Sequence, residues 1–572
     1  MFNTLKKINF LVSKRQRKEL VILTMLLFLG MIFEIFGLGI LIPTLNIILD
    51  PETLNKTPIL FTLKRSFPEF SHNDFIYFFL GIIFLIYLTK TMLLVFITYK
   101  QNIFLNNVVA YISNNLFNSY LSRPYIFYIN RNSSDLIKNI QIEIQYFYTF
   151  LFSLISLFLE AGFLLAIIAT LIYIEPLGAI SVGIFYGTLS MIFLQFSKKK
   201  LSRWGELRAK IDSSLSKNVL EGLGAIKDLM ILGKRSFYIN QFKNNNNLRA
   251  RLNANLGTIS QIPRFFLELI SILGLISFVT IMLLKGIEVK SLITILGIFV
   301  AATFRMIPSF NKIIAAFQTI KYHMPSVNII YKELNGFIEN KEKTENHNNL
   351  SFQSKIELIK INFGFNLKNK ILKDVNLQIQ KGQTIGIIGE SGSGKSTIVD
   401  LLIGFHKPTS GQILIDGVDG FQMNQSWKNS IGYVSQSIYL IDASIKNNIA
   451  LGIPENEINE LKIKELLLQV QLESFMDTLE KGVNTEVGER GIQLSGGQRQ
   501  RIGLARALYH DPDILILDEA TSALDTETEK EVMNSIYSLK GKKTIIIIAH
   551  RHSTLTMADC IYKIKDGKIL KV

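Results

Sequence analysis

Cysteine is almost absent: Cys560 stands alone in 572 residues. One thiol forms no internal disulfide and no cysteine-based metal site, which fits a soluble part facing the cytosol. Cys560 itself reads as a small buried apolar residue. Charge is scarce too. Charged residues are 19% of the chain against 48% hydrophobic, too apolar for an ordinary soluble protein, so part of the chain reads as membrane spans. No small-residue cleavage site follows the first apolar run, which therefore reads as a retained span rather than a signal peptide. The charge that is present is unbalanced, at +16 net. Its basic clusters flank apolar runs instead of forming one patch, which sets aside a nucleic-acid partner and favours basic cytosolic loops.

Apolar runs at 20–49, 75–99, 147–174, 177–196, 262–284 and 292–314 each approach or exceed the roughly 20 residues that a membrane-crossing helix needs. Lys6, Lys7, Lys14, Arg15, Arg17 and Lys18 precede the first run, and Lys198, Lys199, Lys200 and Arg203 follow the fourth. The positive-inside rule puts these flanks in the cytosol, and six spans return the chain there. Between spans, 101–120 and 210–256 read as helices continuing out of the membrane. The turns at 122–128 and 220–229 are either docking points for a soluble domain or solvated tips. The outer loop 50–73 holds a stretch at 59–67 that suits a short surface helix or an ordinary loop. A polar linker at 336–354 separates a membrane domain, 1–335, from a soluble domain, 355–572.

The soluble domain alternates strand-like and helix-like segments, as α/β folds do. Its phosphate-loop pattern is complete: Gly389-Glu390-Ser391-Gly392-Ser393-Gly394-Lys395-Ser396-Thr397, between a strand-like 384–388 and a helix-like 398–403. Glycine backbone N–H groups and the helix N-terminus suit phosphate oxygens, with Lys395 for the β- and γ-phosphates and Ser396 for Mg²⁺. Further on, 514–517 is an apolar strand ending in Asp518 and Glu519. Asp518 is placed to hold Mg²⁺ and Glu519 to orient or deprotonate an attacking water. Between these motifs stands Leu494-Ser495-Gly496-Gly497-Gln498, opening a helical stretch and offering a second phosphate-binding surface.

Here the sequence resembles the ATP-binding cassette family, whose signature is that pentapeptide. The resemblance implies a six-helix, all-α transmembrane exporter domain fused to an α/β ATP-binding cassette domain, using ATP and Mg²⁺. It implies adenine stacking on Phe365, a Mg²⁺ and coupling contact at Gln436, an interface aspartate at Asp525, and a γ-phosphate contact at His550. Because the chain carries one set of motifs, it also implies a homodimer or a pair with a related half-transporter, in which Ser495, Gly496, Gly497 and Gln498 of one copy meet the phosphate loop of the other.

Cargo is less legible. Lys90, Arg264 and Arg305 fall within or near expected spans; at 1.5 Å per residue Lys90 and Arg305 lie about 20 Å deep and Arg264 somewhat deeper. Such cations line a cavity or find partners. A basic cavity suits a pyrophosphate headgroup, whereas Arg264 can pair with Glu268 and Lys90 can snorkel. Glu34 and Glu160 can neutralise the cavity. The segments 262–268 and 304–314 resemble bacterial lipid-linked oligosaccharide flippases of protein N-glycosylation. That resemblance implies transport of a polyprenyl-pyrophosphate-linked oligosaccharide across the bacterial cytoplasmic membrane. Export of another amphipath, a lipid or a peptide, and an ATP-gated channel or regulator are the competing expectations. No cysteine precedes the first span and no peptidase domain is expected there, which counts against peptide exporters that process their own cargo.

Overall fold

The computed structural model describes residues 2–40, 44, 47–48, 61–62, 65–66, 69–174, 176–284, 289–341, 352–365, 370–420, 425–521, 524–549 and 555–572. It divides into two compact units, Met1–Arg123 with Asn130–Asn340, and Pro124–Ile129 with Lys341–Val572.

The first unit is helical. In chain order the helices are α1 (Phe2–Leu11), α2 (Lys14–Gly39), α3 (His72–Leu121), the single turn α4 (Ile126–Ile129) assigned to the second unit, α5 (Ser133–Lys138), α6 (Ile144–Ile174), α7 (Pro176–Gly224), α8 (Ile226–Ile231), α9 (Arg235–Leu284) and α10 (Val289–Lys341). A capping box starts α3: the Asp74 carboxylate accepts from the Ser71 N–H at 2.8 Å while the Ser71 hydroxyl accepts from the Asp74 N–H. The stretch 101–120 is an unbroken continuation of α3, which runs to Leu121, and the start of 210–256 continues α7 to Gly224. The second extension breaks around α8, with Gly233 turning the chain at φ +63°.

Among the described residues, three helical stretches are long and apolar enough to cross a membrane: His72–Leu121, Ser133–Ala169 and Arg235–Gly274. They correspond to the second, third and fifth expected spans. The first, fourth and sixth fall on α2, α7 and α10, long helices outside that set. The expected surface helix at 59–67 falls largely outside the described residues. Helix α10 continues to Lys341, into the stretch expected as linker.

A π-helical turn, Asn139–Glu143, joins α5 to α6 and turns Glu143 into the helix bundle. Glu143 and Arg208 are wholly buried, with Arg208 Nη2 3.3 Å from Glu143 Oε2. The Ser326 hydroxyl donates to the same oxygen at 2.6 Å. Arg208 also lies 3.7 Å over the Tyr146 ring, and Arg249 Nε reaches the buried Asp212 at 3.1 Å. Four helices, α6, α7, α9 and α10, are thus tied through buried charge. Breaking one buried partner of this kind costs about 3–5 kcal/mol.

The second unit holds two sheets. An antiparallel one runs β2 (Leu372–Gln380), β1 (Lys355–Phe363), β4 (Ser410–Ile415), β5 (Val418–Asp419). The larger one runs β10 (Lys568–Lys571), β9 (Cys560–Lys565), β3 (Thr384–Gly389), β8 (Thr544–Ile548), β7 (Ile514–Asp518), β6 (Ile431–Val434), parallel except at β10. Every residue of β7 and β8 is buried, because the sheet is covered on both faces. Alternation sorts them. Ile514, Ile516, Ile546 and Ile548 join one core with helix α11 (Lys395–Ile403), while Leu515, Leu517, Ile545 and Ile547 join the other with helix α12 (Gly496–Leu508). The entry of β1 is pinned by Asp416, whose carboxylate accepts backbone N–H groups of Gln353, Ser354 and Lys355 at 2.6–2.7 Å. Burial pushes this carboxyl up, but the three N–H donors and the Ser354 hydroxyl outweigh it and hold it below its ordinary value.

Candidate nucleotide site

Parallel strands point their C-terminal ends to one edge, and in open α/β sheets ligands bind there. At that edge β3 leads into the phosphate loop, β7 ends in Asp518 and Glu519, and β6 leads to Gln436. Two loop glycines have no substitute. Gly394 caps α11 at φ +105°, and a Cβ on it would sit 2.9 Å from Leu372 Cδ2. A Cβ on Gly389 would meet Ser393 Oγ and the Ile564 carbonyl, each at 2.7 Å. Both ends of the loop therefore pack too tightly for a side chain, Gly394 against β2 and Gly389 against β9. Lys395 is buried and donates to the Gly389 and Glu390 carbonyls, each at 2.9 Å. These bonds fold the ammonium across the loop, where a phosphate would replace the carbonyls as acceptor. Ser393 Oγ is buried without a hydrogen-bond partner, a donor open to an incoming oxygen.

Asp518 meets one other residue expected as a Mg²⁺ ligand, Ser396. The Ser396 hydroxyl donates to its carboxylate, and so does Tyr433 Oη at 3.3 Å. Burial, then the neighbouring Glu519 charge, push Asp518 up, against the lowering contacts of Ser396, Tyr433 and Lys395. A hard oxygen set of hydroxyl and carboxylate fits Mg²⁺, with Gln436 close by. Gln436 Nε2 donates to Glu519 Oε2 at 2.7 Å, a pairing of the two residues that their separate motifs do not announce. Glu519 adopts φ +51°, a left-handed conformation costing about 1–3 kcal/mol in a non-glycine residue and concentrated at active sites. Tyr433 carries no motif that sequence reading would single out; its role follows only from the register of β6 against β7.

Phe365 keeps an exposed ring, 52% accessible, as adenine stacking requires. Ser495 caps α12 in a full capping box, accepting from the Gln498 N–H at 3.2 Å while its own N–H donates to the Gln498 side chain at 2.8 Å. The first-turn amides of Gly496 and Gly497 have no intrahelical acceptor, as at any helix N-terminus. Leu524 packs closely on Gly497: a Cβ there would lie 2.9 Å from Leu524 Cδ2. Asp525 follows directly and its carbonyl accepts from Glu529 N at 2.8 Å at the head of helix α13 (Thr526–Tyr537). His550 lies outside the described residues.

In the first unit, Lys90 is buried at 8% exposure with Nζ 4.8 Å over the Tyr87 ring. Arg264 Nε is paired with Glu268 Oε1 at 2.7 Å on an exposed face. The side chain of Arg305 lies outside the described residues. A polar group that residue spacing does not announce lies between α6 and α10. Buried Glu160 accepts from Ser309 Oγ at 2.8 Å and from Lys312 Nζ at 2.6 Å, with Lys312 itself 62% exposed. Glu160 was expected only as a counter-charge, and its partners follow from helix packing rather than spacing.

The ABC transporter family model matches residues 372–522. Over 218 residues the chain is 42% identical to the heterocyst differentiation ATP-binding protein HepA of Nostoc sp., covering 38% of this chain and 35% of that one. Over 221 residues it is 42% identical to the ATP-dependent lipid A-core flippase of Pectobacterium atrosepticum, covering 38% of each. The aligned part thus spans a little over a third of these curated relatives. A bacterial Atm1-family ABC exporter solved with ATP bound superposes with a TM-score of 0.76 at 21% identity, covering 97% of this chain and 94% of that one. Residues 372–522 match the ABC transporter family, and over almost its whole length the chain has the fold of an ABC exporter.

Proposed function

We propose that this chain is one half of an ATP-driven exporter that moves an amphipathic, lipid-type cargo across a bacterial cytoplasmic membrane. The observation that carries the ATP-hydrolysing half is the pairing at the sheet edge: Ser396 with Asp518, and Gln436 with Glu519. In this reading the phosphate-loop amides and Lys395 bind and orient the triphosphate, and Phe365 stacks on the base. Ser396, Asp518 and Gln436 would hold Mg²⁺, which when bound would neutralise charge on the phosphate oxygens. Glu519 takes the proton of the attacking water, held in place by the Gln436 amide, and His550 contacts the γ-phosphate. Ser495, Gly496, Gly497 and Gln498 come from a second copy, with Asp525 at the interface, so the working unit is a homodimer. All six long helices span the membrane, with the N-terminus and the ATP-binding unit in the cytosol.

The resemblance to HepA and the lipid A-core flippase concerns the ATP-binding part, so cargo rests on the helical unit. The lipid A-core flippase name favours a lipid over a soluble solute. A second reading, a polyprenyl-pyrophosphate-linked oligosaccharide, is favoured by the cations Lys90, Arg264 and Arg305 together with the exposed ammonium of Lys312 beside Glu160. A cargo screen in proteoliposomes tests both, with phospholipid, lipid-linked glycan and peptide offered in parallel. Lipid-dependent ATPase stimulation and translocation support the first reading. Selective translocation of the glycan, lost in Arg305→Ala, moves the assignment to the second; response to peptide alone overturns both.

A further inference from the structure

Within the second unit, five rings connect the exposed adenine platform to the segment Pro124–Ile129. Phe365 meets the edge of the His406 ring at 5.4 Å and 88°. His406 stacks on Phe363 at 5.2 Å and 27°, and Phe363 in turn meets Phe365 at 5.3 Å. His406 also lies 6.2 Å from the Tyr125 ring, which packs on Phe405 at 4.8 Å. Tyr125 belongs to the chain segment joining α3 to α5, so it is covalently continuous with two helices of the first unit.

His406 is unusual in this setting. It is 6% exposed, and its Nε2 is buried without a hydrogen-bond partner, 3.7 Å from Asp400 Oδ2. Burial pulls the imidazole below its ordinary value, which keeps it neutral and suited to stacking. A buried imidazole that makes no hydrogen bond through Nε2 is held by ring contacts. Asp400 sits on α11, the helix that the phosphate loop opens, so the same ring also borders that helix.

We propose that His406 is a positioning residue that carries base occupancy at Phe365 to the Pro124–Ile129 segment. Stacking of adenine on the exposed face of Phe365 fixes that ring, the fixed ring restrains His406, and His406 sets the seat of Tyr125. Ring–ring contacts prefer offset and edge-on geometries, so a ring clamped on one face limits the placements open to its neighbours. The signal depends on the base rather than on the phosphates, which separates it from any coupling through the phosphate loop. This inference rests on ATP binding at the site described above.

The test uses the full chain in lipid nanodiscs, in a Cys560→Ser background with Ile129→Cys as a reporter. Ile129 is 46% exposed and open to a maleimide. A non-hydrolysable ATP analogue is expected to change the labelling rate by about threefold or more, as the worth of one to two ring contacts implies. Inorganic triphosphate, which lacks the base, is expected to leave it unchanged. His406→Ala removes the response, His406→Phe restores it, and Tyr125→Ala, at a 44% exposed ring, removes it without touching the core. An equal response to triphosphate, or an intact response in both alanine variants, overturns the proposal. Binding of the analogue is measured on the same samples. A parent chain that binds none overturns the nucleotide-site reading and this inference with it, whereas binding without a labelling change overturns this inference alone.

Discussion

Replacing Glu519 by glutamine isolates the step on which turnover depends. The substitution keeps side-chain length and removes only the negative charge. Gln436 Nε2, now 2.7 Å from Glu519 Oε2, can donate to the new amide oxygen instead. The backbone at φ +51° is no more strained for glutamine than for glutamate, since both carry the same Cβ. Nothing else at the sheet edge has to move: Asp518 keeps Ser396 and Tyr433, and the like-charge push from Glu519 is relieved. The loss is therefore that of a positioned general base, about 10²–10⁴-fold in rate, or roughly 3–5 kcal/mol on the barrier. Steady-state phosphate release at saturating ATP measures the rate, and retained radiolabelled nucleotide on gel filtration measures binding. The expected result is turnover reduced by at least about 10²-fold with ATP retained on a two-chain species. Turnover within about threefold of the parent would refute the assignment of Glu519 as base.

Other substitutions probe separate links. Gly394→Ala places a Cβ 2.9 Å from Leu372 Cδ2 at φ +105°, so nucleotide binding by fluorescence titration should fall by tenfold or more, about 1.4 kcal/mol or above, with the fold retained by circular dichroism. Arg208→Ala leaves Glu143 buried without its guanidinium partner and should lower the stability of the helical unit by about 3–5 kcal/mol, read as a fall in Tm of the detergent-solubilised chain. Asp416→Asn should destabilise the ATP-binding unit at neutral pH. The folded value of this carboxyl is depressed, so its contribution is fully present above the ordinary 3.8 and is lost as pH falls through the lower folded value. The Tm difference between variant and parent should accordingly shrink across that acid window, and a difference that grows there contradicts the cause given.

The ATP-binding unit was largely legible because its chemistry is written locally. A phosphate loop needs glycine where φ is positive and where a Cβ would collide, and both demands fall within nine consecutive positions, 389–397. Runs such as Ile545, Ile546, Ile547 and Ile548 announce a strand buried on both faces, though only the fold shows that alternate members feed separate cores. The helical unit was harder. Asp212 lies in the stretch 210–256 that reads as a helix continuing out of the membrane, Glu143 and Arg208 fall in no motif or span, and only a π turn and the packing of distant helices bring the three together out of water. Depth along a helix likewise does not say which way a cation faces. Lys90 rests on Tyr87 inside the unit and Arg264 is paired with Glu268, so neither position was decided by counting residues from a span end. Tyr433 and His406 act through neighbours that no short pattern names.

Completion of the site by a second copy is the central claim, and disulfide trapping tests it most directly. Two full-length chains of different tag size are co-expressed in a Cys560→Ser background, one with Ser391→Cys and the other with Ser495→Cys. A disulfide needs Cα atoms about 4.4–6.8 Å apart, so it reports close approach and little else. In a Glu519→Gln background, ATP addition is predicted to yield a cross-linked species carrying both tags, absent without nucleotide. Cross-linking that appears only when both cysteines sit on one chain, or that ignores ATP, would contradict the account.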